Sequence, residues 1–430
     1  MALDLPLLVF VVGFAAILIL RVPISLGMLA TAIFYFMTAG LDIGLVAEKV
    51  VTNLYSVFII IAVPLFVFTA KVMNTSAVSD MVYGFAHSMV GKVRGGLGHV
   101  NVIGSLIFSG MTGSAVADAS GVGILEVTQM RKHGYDAGFS CAVTVTSATI
   151  GPVFPPSIPM IFYAMLSGAS IGALFMGGMI PGLLMSAALM VYIGYISNKR
   201  KYPLGDPFIL QAFLVATFKA FPALLTPVIL LGGIYSGVVT PTEAGALAAL
   251  YSIVIAFLVY RSMGLNQLVE VIVDTAKTTG ILSLIVGAAF TFSFIVAKEQ
   301  IPQFIGSFLL SVTQNKYLLL LLINIVFLIL GMFVDTSTIM LVFIPMVLPL
   351  VKQLGIDLTH FGVMIVLNMM IGLTTPPFGV LLFIVSGITK VPLQDIIKDT
   401  LPLIAVLIVV LFLITYIPEI VLFLPHFFSQ

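Results

Sequence analysis

The chain has 430 residues, 60% of them hydrophobic and 8% charged, and its mean hydropathy is +1.23. A soluble domain carries about 25% charged residues, so this composition excludes a soluble protein and indicates an integral membrane protein. The formal net charge of +1 argues against a nucleic-acid partner, and the single cysteine, Cys141, excludes an internal disulfide.

The apolar runs have the length of membrane-spanning helices, about 20 residues, and lack the alternation typical of β-barrel strands. The predicted fold class is therefore an all-α polytopic protein in the lipid bilayer. The first run follows Met1 closely, with no basic segment or cleavage site, and is predicted to be retained as a span. The first three predicted spans cover residues 5–20, 24–39 and 55–70.

The next apolar stretch, about 98–127, is predicted to be a re-entrant helical hairpin. Basic residues flank it on both sides and favour the cytoplasm for both of its ends; they are Lys92 and Arg94 before it and Arg131 and Lys132 after it. Two arms of about 15 residues are each too short to cross. The middle of the stretch, 109–120, is polar and contains Asp118, which would be costly in a lipid-facing span. One slightly polar span is the alternative.

A broken helix is predicted over about 139–166. Its apolar run is interrupted by Gly151, Pro152, Pro155, Pro156 and Pro159. Proline leaves backbone carbonyls without helical partners, and such groups are tolerated in a membrane only when buried in protein or lining a polar cavity. Ser147, Thr149 and Ser157 can supply a polar lining. The break is therefore a candidate binding site, with a purely structural kink as the alternative.

Further spans are predicted before a second hairpin. One covers 171–196 and ends at the cytoplasmic marker Lys199-Arg200-Lys201, and 207–221 is predicted to be a surface-lying connector. The following spans cover 222–237, 243–260 and 278–297. Glu243, after Thr240-Pro241-Thr242, is predicted to cap a helix N-terminus rather than to relay protons.

The last part of the chain repeats the earlier pattern. A second hairpin is predicted over 317–351, a second broken span over 360–387 and a final span over 401–422. One constant offset in numbering, 221, which we call the repeat step, relates Gly110 to Gly331, Gly151 to Gly372, Pro155 to Pro376 and Pro181 to Pro402. A single register held over this length indicates an internal duplication.

The two halves are predicted to be inverted-topology repeats, 1–221 and 222–430. Five crossings separate the two hairpins, so the second hairpin must open to the side opposite the first. With the basic residues at 131–132, 199–201 and 261 placed inside, both termini are predicted to lie outside.

Inverted repeats with paired broken helices are typical of secondary transporters, and the free helix ends can bind an anion and a cation. Carbonyl and hydroxyl oxygens suit sodium, and the scarcity of carboxylates disfavours a calcium-type cage. The candidate sodium ligands in the first half are Ser109, Gly110, Gly151, Phe154 and Pro156 with Thr112 or Ser114, and in the second half Gly331, Gly372, Thr375 and Phe378 with Thr336.

The candidate substrate-binding residues are Lys298, Ser157, Asp118 and Asp335. Lys298 ends the span before the second hairpin and either reaches the membrane surface or pairs with a substrate carboxylate. Lys71 ends the span before the first hairpin and is predicted to reach the membrane surface. Asp118 and Asp335 either shape the sites or accept N–H groups from helix ends. The sequence contains no nucleotide-binding loop, so ATP hydrolysis is not expected to drive the chain.

Four segments carry a family resemblance: the hairpin string 109–120, Gly-Pro-Val-Phe-Pro-Pro-Ser at 151–157, Val-Thr-Pro-Thr-Glu-Ala-Gly at 239–245, and Thr-Thr-Pro-Pro-Phe-Gly at 374–379. Over essentially its full length the chain resembles the large membrane subunit of tripartite ATP-independent periplasmic (TRAP) transporters. The resemblance implies a sodium-driven elevator-type symporter in the bacterial inner membrane that imports organic acids such as dicarboxylates or sialic acid.

The resemblance also implies two partners, a small four-helix membrane subunit and a periplasmic substrate-binding protein, and we expect the small subunit as a separate protein. It places sodium sites at the two hairpins and breaks and a basic residue, matched by Lys298, beside the substrate. The family often has arginine there, and lysine lacks the bidentate fork of arginine. The hairpins and broken spans are expected to move together against fixed spans, which are the first two, 5–20 and 24–39, and the two before the second hairpin, 243–260 and 278–297.

Three other classes are weighed against this interpretation. A stand-alone sodium/anion symporter would need neither partner. A channel would need a continuous polar pore, whereas the polar residues cluster at the breaks. An intramembrane enzyme would need paired aspartates, or a serine with histidine or lysine, at membrane depth, and no such constellation recurs at the predicted spans.

Overall fold

The computed structural model describes residues 4–20, 22–56, 58–74 and 76–428. These residues form helices joined by turns and loops, with no β-strand among them, and one isolated β-bridge joins Arg94 to Leu204. Seven of the described helices are long and apolar enough to cross a membrane, and shorter apolar helices accompany them. The predicted all-α polytopic fold is confirmed.

The helices that begin before residue 222 follow the predicted order. They are α1 (Leu5–Leu20), α2 (Ile24–Thr38), α3 (Gly44–Ser56), α4 (Ala62–Met73), α5 (Ser76–Met89), α6 (Gly96–Thr112), α7 (Ala115–Ser120), α8 (Val122–Lys132), α9 (Ala137–Ser147), α10 (Ile158–Ser167), α11 (Ile171–Lys199) and α12 (Leu210–Tyr235). The stretch predicted as the first hairpin is α6 followed by α7 and α8. The first predicted broken span is α9 and α10, separated by a 3₁₀ turn and a loop.

The later helices repeat this series. They are α13 (Pro241–Val254), α14 (Leu265–Lys298), α15 (Ile301–Val312), α16 (Lys316–Phe333), α17 (Thr336–Gln353), α18 (Leu358–Gly372), α19 (Val380–Thr389), α20 (Leu393–Tyr416) and α21 (Glu419–Phe428). The second predicted hairpin is α16 and α17, and the second predicted broken span is α18 and α19.

The repeat step is present in the backbone as well as in the sequence. α17 covers 336–353, and the positions one repeat step earlier, 115–132, are those from the start of α7 to the end of α8. Gly134 and Gly355 both have positive φ, +83° and +62°, which glycine adopts without the steric cost of a side chain. The duplication therefore covers the local conformation of the hairpins and the turns that follow them.

Three short helices, α3, α5 and α15, lie almost wholly outside the predicted spans. The predicted final span, 401–422, was too long: α20 ends at Tyr416, and a fourth short helix, α21, begins at Glu419. The four short helices are 10 to 14 residues long and are apolar on one face, so a search for long apolar runs misses them. The third predicted span, 55–70, is found as a 3₁₀ turn over 58–61 followed by α4.

Residues 210–221, most of the predicted connector, form the first turns of the long helix α12, which continues through Pro222. The hydroxyl of Tyr260 bridges two backbone groups beside Pro222: it donates to the Lys219 carbonyl at 2.9 Å and accepts from the Ala223 N–H at 3.2 Å. The Tyr251 hydroxyl donates to the Pro222 carbonyl at 2.8 Å. Side chains from a neighbouring helix thus satisfy backbone groups near the proline, so the helix does not end there.

The helices pack as two groups. We call α6–α11 with α16–α20 the inner group and α1–α4 with α12–α14 the outer group. In the outer group α14 contacts α2, α3 and α4, and α13 contacts α4 and α12. In the inner group the second half of each broken helix packs on the hairpin of the other repeat, α10 on α17 and α19 on α7. The two repeats are therefore interlocked at the breaks.

Candidate functional site

The tip of the first hairpin, residues 112–117, lies against the first break, residues 148–157. α6 ends at Thr112 with Gly113 as its C-cap, and Ser114 then caps α7 by accepting the Ala117 N–H at 3.4 Å. Gly113 has φ of +58°, and a Cβ atom here would collide with the Pro156 carbonyl oxygen. Only glycine allows this backbone conformation and this approach together.

The loop of the first break is closed by its own serine. Ser157 accepts the Met160 N–H at 3.2 Å, which caps α10, and its hydroxyl donates to the Pro152 carbonyl. The Pro155–Pro156 peptide bond is cis. Ser157 is fully buried, so its hydroxyl stabilises the loop conformation that presents the break to the hairpin tip.

The tip of the second hairpin, residues 333–338, lies against the second break, residues 373–379. Asp335 caps α17: its carboxylate accepts the Thr338 N–H at 3.1 Å and the Thr338 hydroxyl at 2.5 Å. The Gly379 N–H donates to the Met332 carbonyl at 3.3 Å and so ties the break to the tip. The Pro376–Pro377 bond is also cis.

Small residues let the second hairpin and the second break approach closely. A Cβ atom on Gly331 would lie 3.0 Å from the Gly372 Cα, so neither position has room for a side chain. Thr375, in the break, donates its hydroxyl to the Ile371 carbonyl at 2.7 Å. The carbonyl-rich turn after α18 is thus packed directly on α16.

A cavity of about 430 Å³, which we call the tip cavity, lies between the two hairpin tips, the two breaks and the outer-group helices α4 and α14. Its charged lining residues are Lys71 and Asp335. Its other polar lining residues are Asn74, Thr112, Ser114, Thr278, Thr336 and Ser337, and apolar residues such as Val67, Leu282, Met370 and Leu373 complete it. The site is therefore a mostly apolar pocket with a few convergent polar groups, as small-molecule sites usually are.

Lys71 reaches the tip cavity from the last turn of α4. Its Nζ lies 2.5 Å from the Asp274 carboxylate, 2.9 Å from the Asp274 carbonyl and 2.9 Å from the Thr278 hydroxyl, all on α14. The Asp274 side chain is 66% exposed. The sequence analysis placed Lys71 at the membrane surface and missed its position in the cavity. The feature that could have indicated this position is that Lys71 ends the span directly before the first hairpin.

The predicted substrate-binding residues occupy different places. Asp335 lines the tip cavity and accepts helix-end N–H groups, one of the two roles predicted for it. Asp118 is buried in α7. Neither of its carboxylate oxygens has a partner among the described residues at hydrogen-bonding distance and angle. The hydroxyl of Ser157 forms its hydrogen bonds within its own loop, to the Pro152 carbonyl and the Met160 N–H. Lys298 lies well beyond Thr278 on α14, about 30 Å along the helix axis at 1.5 Å per residue, and its Nζ is 3.3 Å from the Tyr35 hydroxyl.

The predicted sodium ligands divide into two sets. Thr112, Ser114 and Thr336 line the tip cavity, and the hydroxyls of Thr112 and Thr336 have no hydrogen-bond partner in the described part of the chain. The others lie in or beside the breaks and at the ends of α6 and α16, outside the cavity lining; they are Ser109, Gly110, Gly151, Phe154, Pro156, Gly331, Gly372, Thr375 and Phe378.

The helix after the Val239–Gly245 motif begins as predicted. Glu243 and Thr240 form a reciprocal cap at the start of α13, in which the Glu243 carboxylate accepts the Thr240 N–H at 2.7 Å and Thr240 accepts the Glu243 N–H at 3.3 Å. The predicted capping role of Glu243 is confirmed.

A multi-pass helical chain in which two hairpins and two broken helices enclose a central pocket has the architecture of a membrane transporter. Residues 11–420 match the family model described as tripartite ATP-independent periplasmic transporter, DctM component, and the chain belongs to this family. The resemblance inferred from the four sequence segments is confirmed.

Several relatives cover most of the chain. It is 40% identical to the sialic acid TRAP transporter large permease protein SiaM of Vibrio cholerae, over 97% of each chain. It is 38% identical to the C4-dicarboxylate TRAP transporter large permease protein DctM of Pseudomonas aeruginosa, over 87% of each chain. It is 39% identical to the sialic acid TRAP transporter permease protein SiaT of Haemophilus influenzae, over 95% of this chain and 67% of that protein. These relatives are transport permeases, which confirms that the chain is not an enzyme.

A solved structure shares the fold. The YdaH transporter of Alcanivorax borkumensis superimposes with a TM-score of 0.61 over 85% of this chain and 86% of that one, at 13% sequence identity. At this identity the likeness concerns the fold alone.

Proposed function

We propose that the chain is the large permease of a tripartite transporter that imports an organic acid anion by sodium-coupled secondary active transport. The tip cavity carries this proposal. It places a lysine ammonium opposite the two hairpin tips, where a small anion can be enclosed by both repeats.

The substrate class follows from the relatives taken together. Their names specify sialic acid, C4-dicarboxylates, isethionate and 2,3-diketo-L-gulonate. All four are small organic acids that are anionic at neutral pH. We assign this chain to the same class, with sialic acid and a C4-dicarboxylate as the first substrates to test.

Sodium is proposed as the coupling ion because of the donor set. The unpartnered hydroxyls of Thr112 and Thr336 face a cavity bounded by breaks whose carbonyls have left the helical hydrogen-bond pattern. Hard cations are held by such oxygens. The proposed ion sites are the two hairpin–break junctions. The hairpin of the first junction also carries the buried carboxylate of Asp118, on α7.

Two partners are proposed, a small four-helix membrane subunit and a periplasmic binding protein that delivers the substrate. The chain covers 97% of SiaM but 67% of SiaT and 66% of the isethionate permease DctMQ, so some relatives carry a further third of their length. In those relatives we assign the further third to the small subunit. The complex would lie in the inner membrane, with both termini of this chain periplasmic.

The mechanism proposed is an elevator, in which the inner group moves against the outer group. The tip cavity supports it, because the hairpin tips and breaks belong to the inner group and Lys71, Thr278 and Leu282 belong to the outer group. A substrate bound there sits at the sliding surface between the two groups.

The test is uptake of sialic acid and of succinate into proteoliposomes under an inward sodium gradient, with and without the small subunit and the binding protein. Wild type is compared with Thr336→Val, which removes one hydroxyl, and with Thr217→Val on the outer-group helix α12 as the matched control. We expect uptake that needs sodium and both partners. In Thr336→Val we expect the sodium affinity to fall about ten-fold, which corresponds to a loss of about 1.4 kcal/mol of binding free energy. Sodium-driven uptake by the chain alone would instead support a stand-alone symporter.

A further inference from the structure

We infer that Lys71 is the cationic contact for the anionic group of the substrate in the tip cavity, and that Asp274 holds this ammonium when no substrate is present. This inference rests on the proposed function and adds a binding residue to it. Lys71 and Asp335 are the charged residues among the described residues that line the cavity. Asp335 is occupied in capping α17, so Lys71 is the group available to an incoming anion.

The partner of Lys71 has the chemistry of the substrate. A carboxylate of Asp274 lies 2.5 Å from the ammonium, and the Thr278 hydroxyl lies 2.9 Å from it. The Asp274 side chain is 66% exposed and precedes the predicted span 278–297, so at this end of α14 water and salt screen the ion pair and it contributes little net stability. A substrate carboxylate can therefore replace Asp274 at Lys71 without leaving a buried charge unpaired, since Asp274 then returns to water.

Groups on the opposite wall complete a binding site. Thr112 and Thr336 are at least nine-tenths buried, line the same cavity, and have hydroxyls without a hydrogen-bond partner among the described residues. Their hydroxyl oxygens stay available to the proposed sodium ions, while their hydroxyl protons can be donated to a bound anion from the two hairpin tips and Lys71 contacts that anion from α4. The anion would then bridge the inner and outer groups.

Lys71 and Lys298 end corresponding helical segments of the two repeats, although the repeat step maps Lys71 onto Phe292, six residues before Lys298. The segment 44–73, which ends just after Lys71, maps by the repeat step onto 265–294, and Lys298 is at the end of the same helix, α14. Both lysines bond to a hydroxyl that is close to a carboxylate: Lys71 to Thr278 beside Asp274, and Lys298 to Tyr35, whose own hydroxyl donates to Glu299. In inverted repeats such positions face opposite sides of the membrane.

The two lysines therefore serve two positions of the hairpin tips. In this structure the tips are level with Lys71, and Lys298 lies about 30 Å farther along α14 than Thr278. Movement of the inner group along α14 would carry the anion from one lysine to the other. Lys298 is assigned to the periplasmic position and Lys71 to the cytoplasmic position.

The experiment uses the complete transporter in proteoliposomes with sialic acid and succinate as probes, and measures half-saturation separately from the cytoplasmic and periplasmic faces. The variants are Lys71→Met, Lys71→Arg and Asp274→Asn, with Lys277→Met, a lysine on α14 outside the cavity lining, as the control for general electrostatics. We expect Lys71→Met to raise the cytoplasmic half-saturation by about ten-fold or more and to leave the periplasmic value within about two-fold. Lys71→Arg should retain most of the affinity.

Asp274→Asn keeps the inference testable if Lys71→Met does not fold. Without the competing carboxylate, the cytoplasmic half-saturation should fall by about two- to ten-fold. Wild-type transport together with unchanged cytoplasmic half-saturation in Asp274→Asn, or in a folded Lys71→Met, would overturn the role of Lys71 and leave the proposed function intact. Failure of the wild type to transport either anion with both partners present would overturn the proposed function itself.

Discussion

Asn368, in α18, donates its side-chain amide to Asn324, in α16, at 2.7 Å to the side-chain oxygen and 2.8 Å to the backbone carbonyl. One repeat step before Asn368 is Ser147, which donates to the Asn101 side chain at 2.7 Å. Each hairpin is thus joined to its own broken helix by a buried polar bond from the same repeat position of that helix, although the accepting asparagines, Asn101 and Asn324, differ by two residues in the repeat register. The bond holds the tip and the break in register, because two apolar helix faces could slide past one another.

Asn368→Leu should loosen the second of these junctions. The side chain is fully buried, and a lost hydrogen bond between membrane helices costs about 1–2 kcal/mol. We expect a lower melting temperature of the purified protein in detergent, measured by intrinsic fluorescence, and no change for Asn198→Ala at the exposed end of α11. An unchanged midpoint in Asn368→Leu would mean that packing alone sets the register.

Tyr260→Phe should destabilise α12 beside Pro222. The variant removes the hydroxyl that serves both the Lys219 carbonyl and the Ala223 N–H, at a cost of about 1–3 kcal/mol. Adding Pro222→Ala should restore part of the loss, because a regular helix can then re-form the 219–223 bond without help. Thermal unfolding of the two single variants and the double variant checks this; strictly additive losses would contradict it.

Gly113→Ala should impair the first junction between tip and break. The left-handed conformation alone costs an alanine about 1–2 kcal/mol, and the collision with Pro156 adds to it. We expect lower uptake together with a lower melting temperature. Gly280→Ala in α14 is the control, since a Cβ there meets nothing within 4 Å; wild-type behaviour of Gly113→Ala would show that the loop moves aside freely.

Glu126→Val should stabilise the first hairpin. Glu126 is 1% exposed, and by geometry both of its carboxylate oxygens lack a hydrogen-bond partner among the described residues. One repeat step later is Val347, so the second repeat already carries the apolar residue. Removing a buried, unsatisfied polar group should add about 1–3 kcal/mol. A fall in the melting temperature would show instead that the carboxyl group is needed for packing.

Tyr202→Phe should reduce the alkaline sensitivity of the loop after α11. Burial, and then the hydrogen bond to Asp136 at 2.6 Å, raise the pKa of the Tyr202 phenol above its ordinary value of about 10. The folded state therefore retains a proton that the unfolded state loses, and this stability is present below about pH 10 and declines as the pH rises above it. Melting temperatures at pH 9 and pH 11 should differ more for wild type than for Tyr202→Phe. Equal differences would exclude Tyr202 as the titrating group.

The neighbouring Arg200 keeps its charge over this whole range. Its hydrogen bonds to Asp399 raise the pKa of the guanidinium, and it also contacts Asp136 at 3.1 Å. The difference between wild type and Tyr202→Phe therefore reports the phenol and not the arginine.

Sequence reasoning succeeded where the cause of a structure is local. The breaks at 148–157 and 373–379 follow from the prolines and glycines in and beside them, which end a helix whatever surrounds it. The capping roles of Glu243 and Asp335 follow from short-range bonds within one helical turn. The constant repeat step carried these inferences from one repeat to the other, because the same local pattern folds in the same way twice.

Sequence reasoning was incomplete where residues distant in the chain determine the local structure. α12 continues through Pro222 because Tyr260, on the far side of α13 in the chain, supplies the missing hydrogen bonds. α3, α5, α15 and α21 are stabilised by apolar faces packed on other helices, which a window of hydropathy does not detect.

The sequence by itself determined that this is a helical membrane transporter with duplicated hairpins and broken helices, since composition, proline positions and the repeat are properties of the chain alone. Only the tertiary structure decided which charged residue meets the hairpin tips. Lys71 and Lys298 end equivalent spans and are indistinguishable by composition. The packing of α4 and α14 against the two tips brings Lys71 into the cavity and leaves Lys298 about 30 Å along α14 from Thr278.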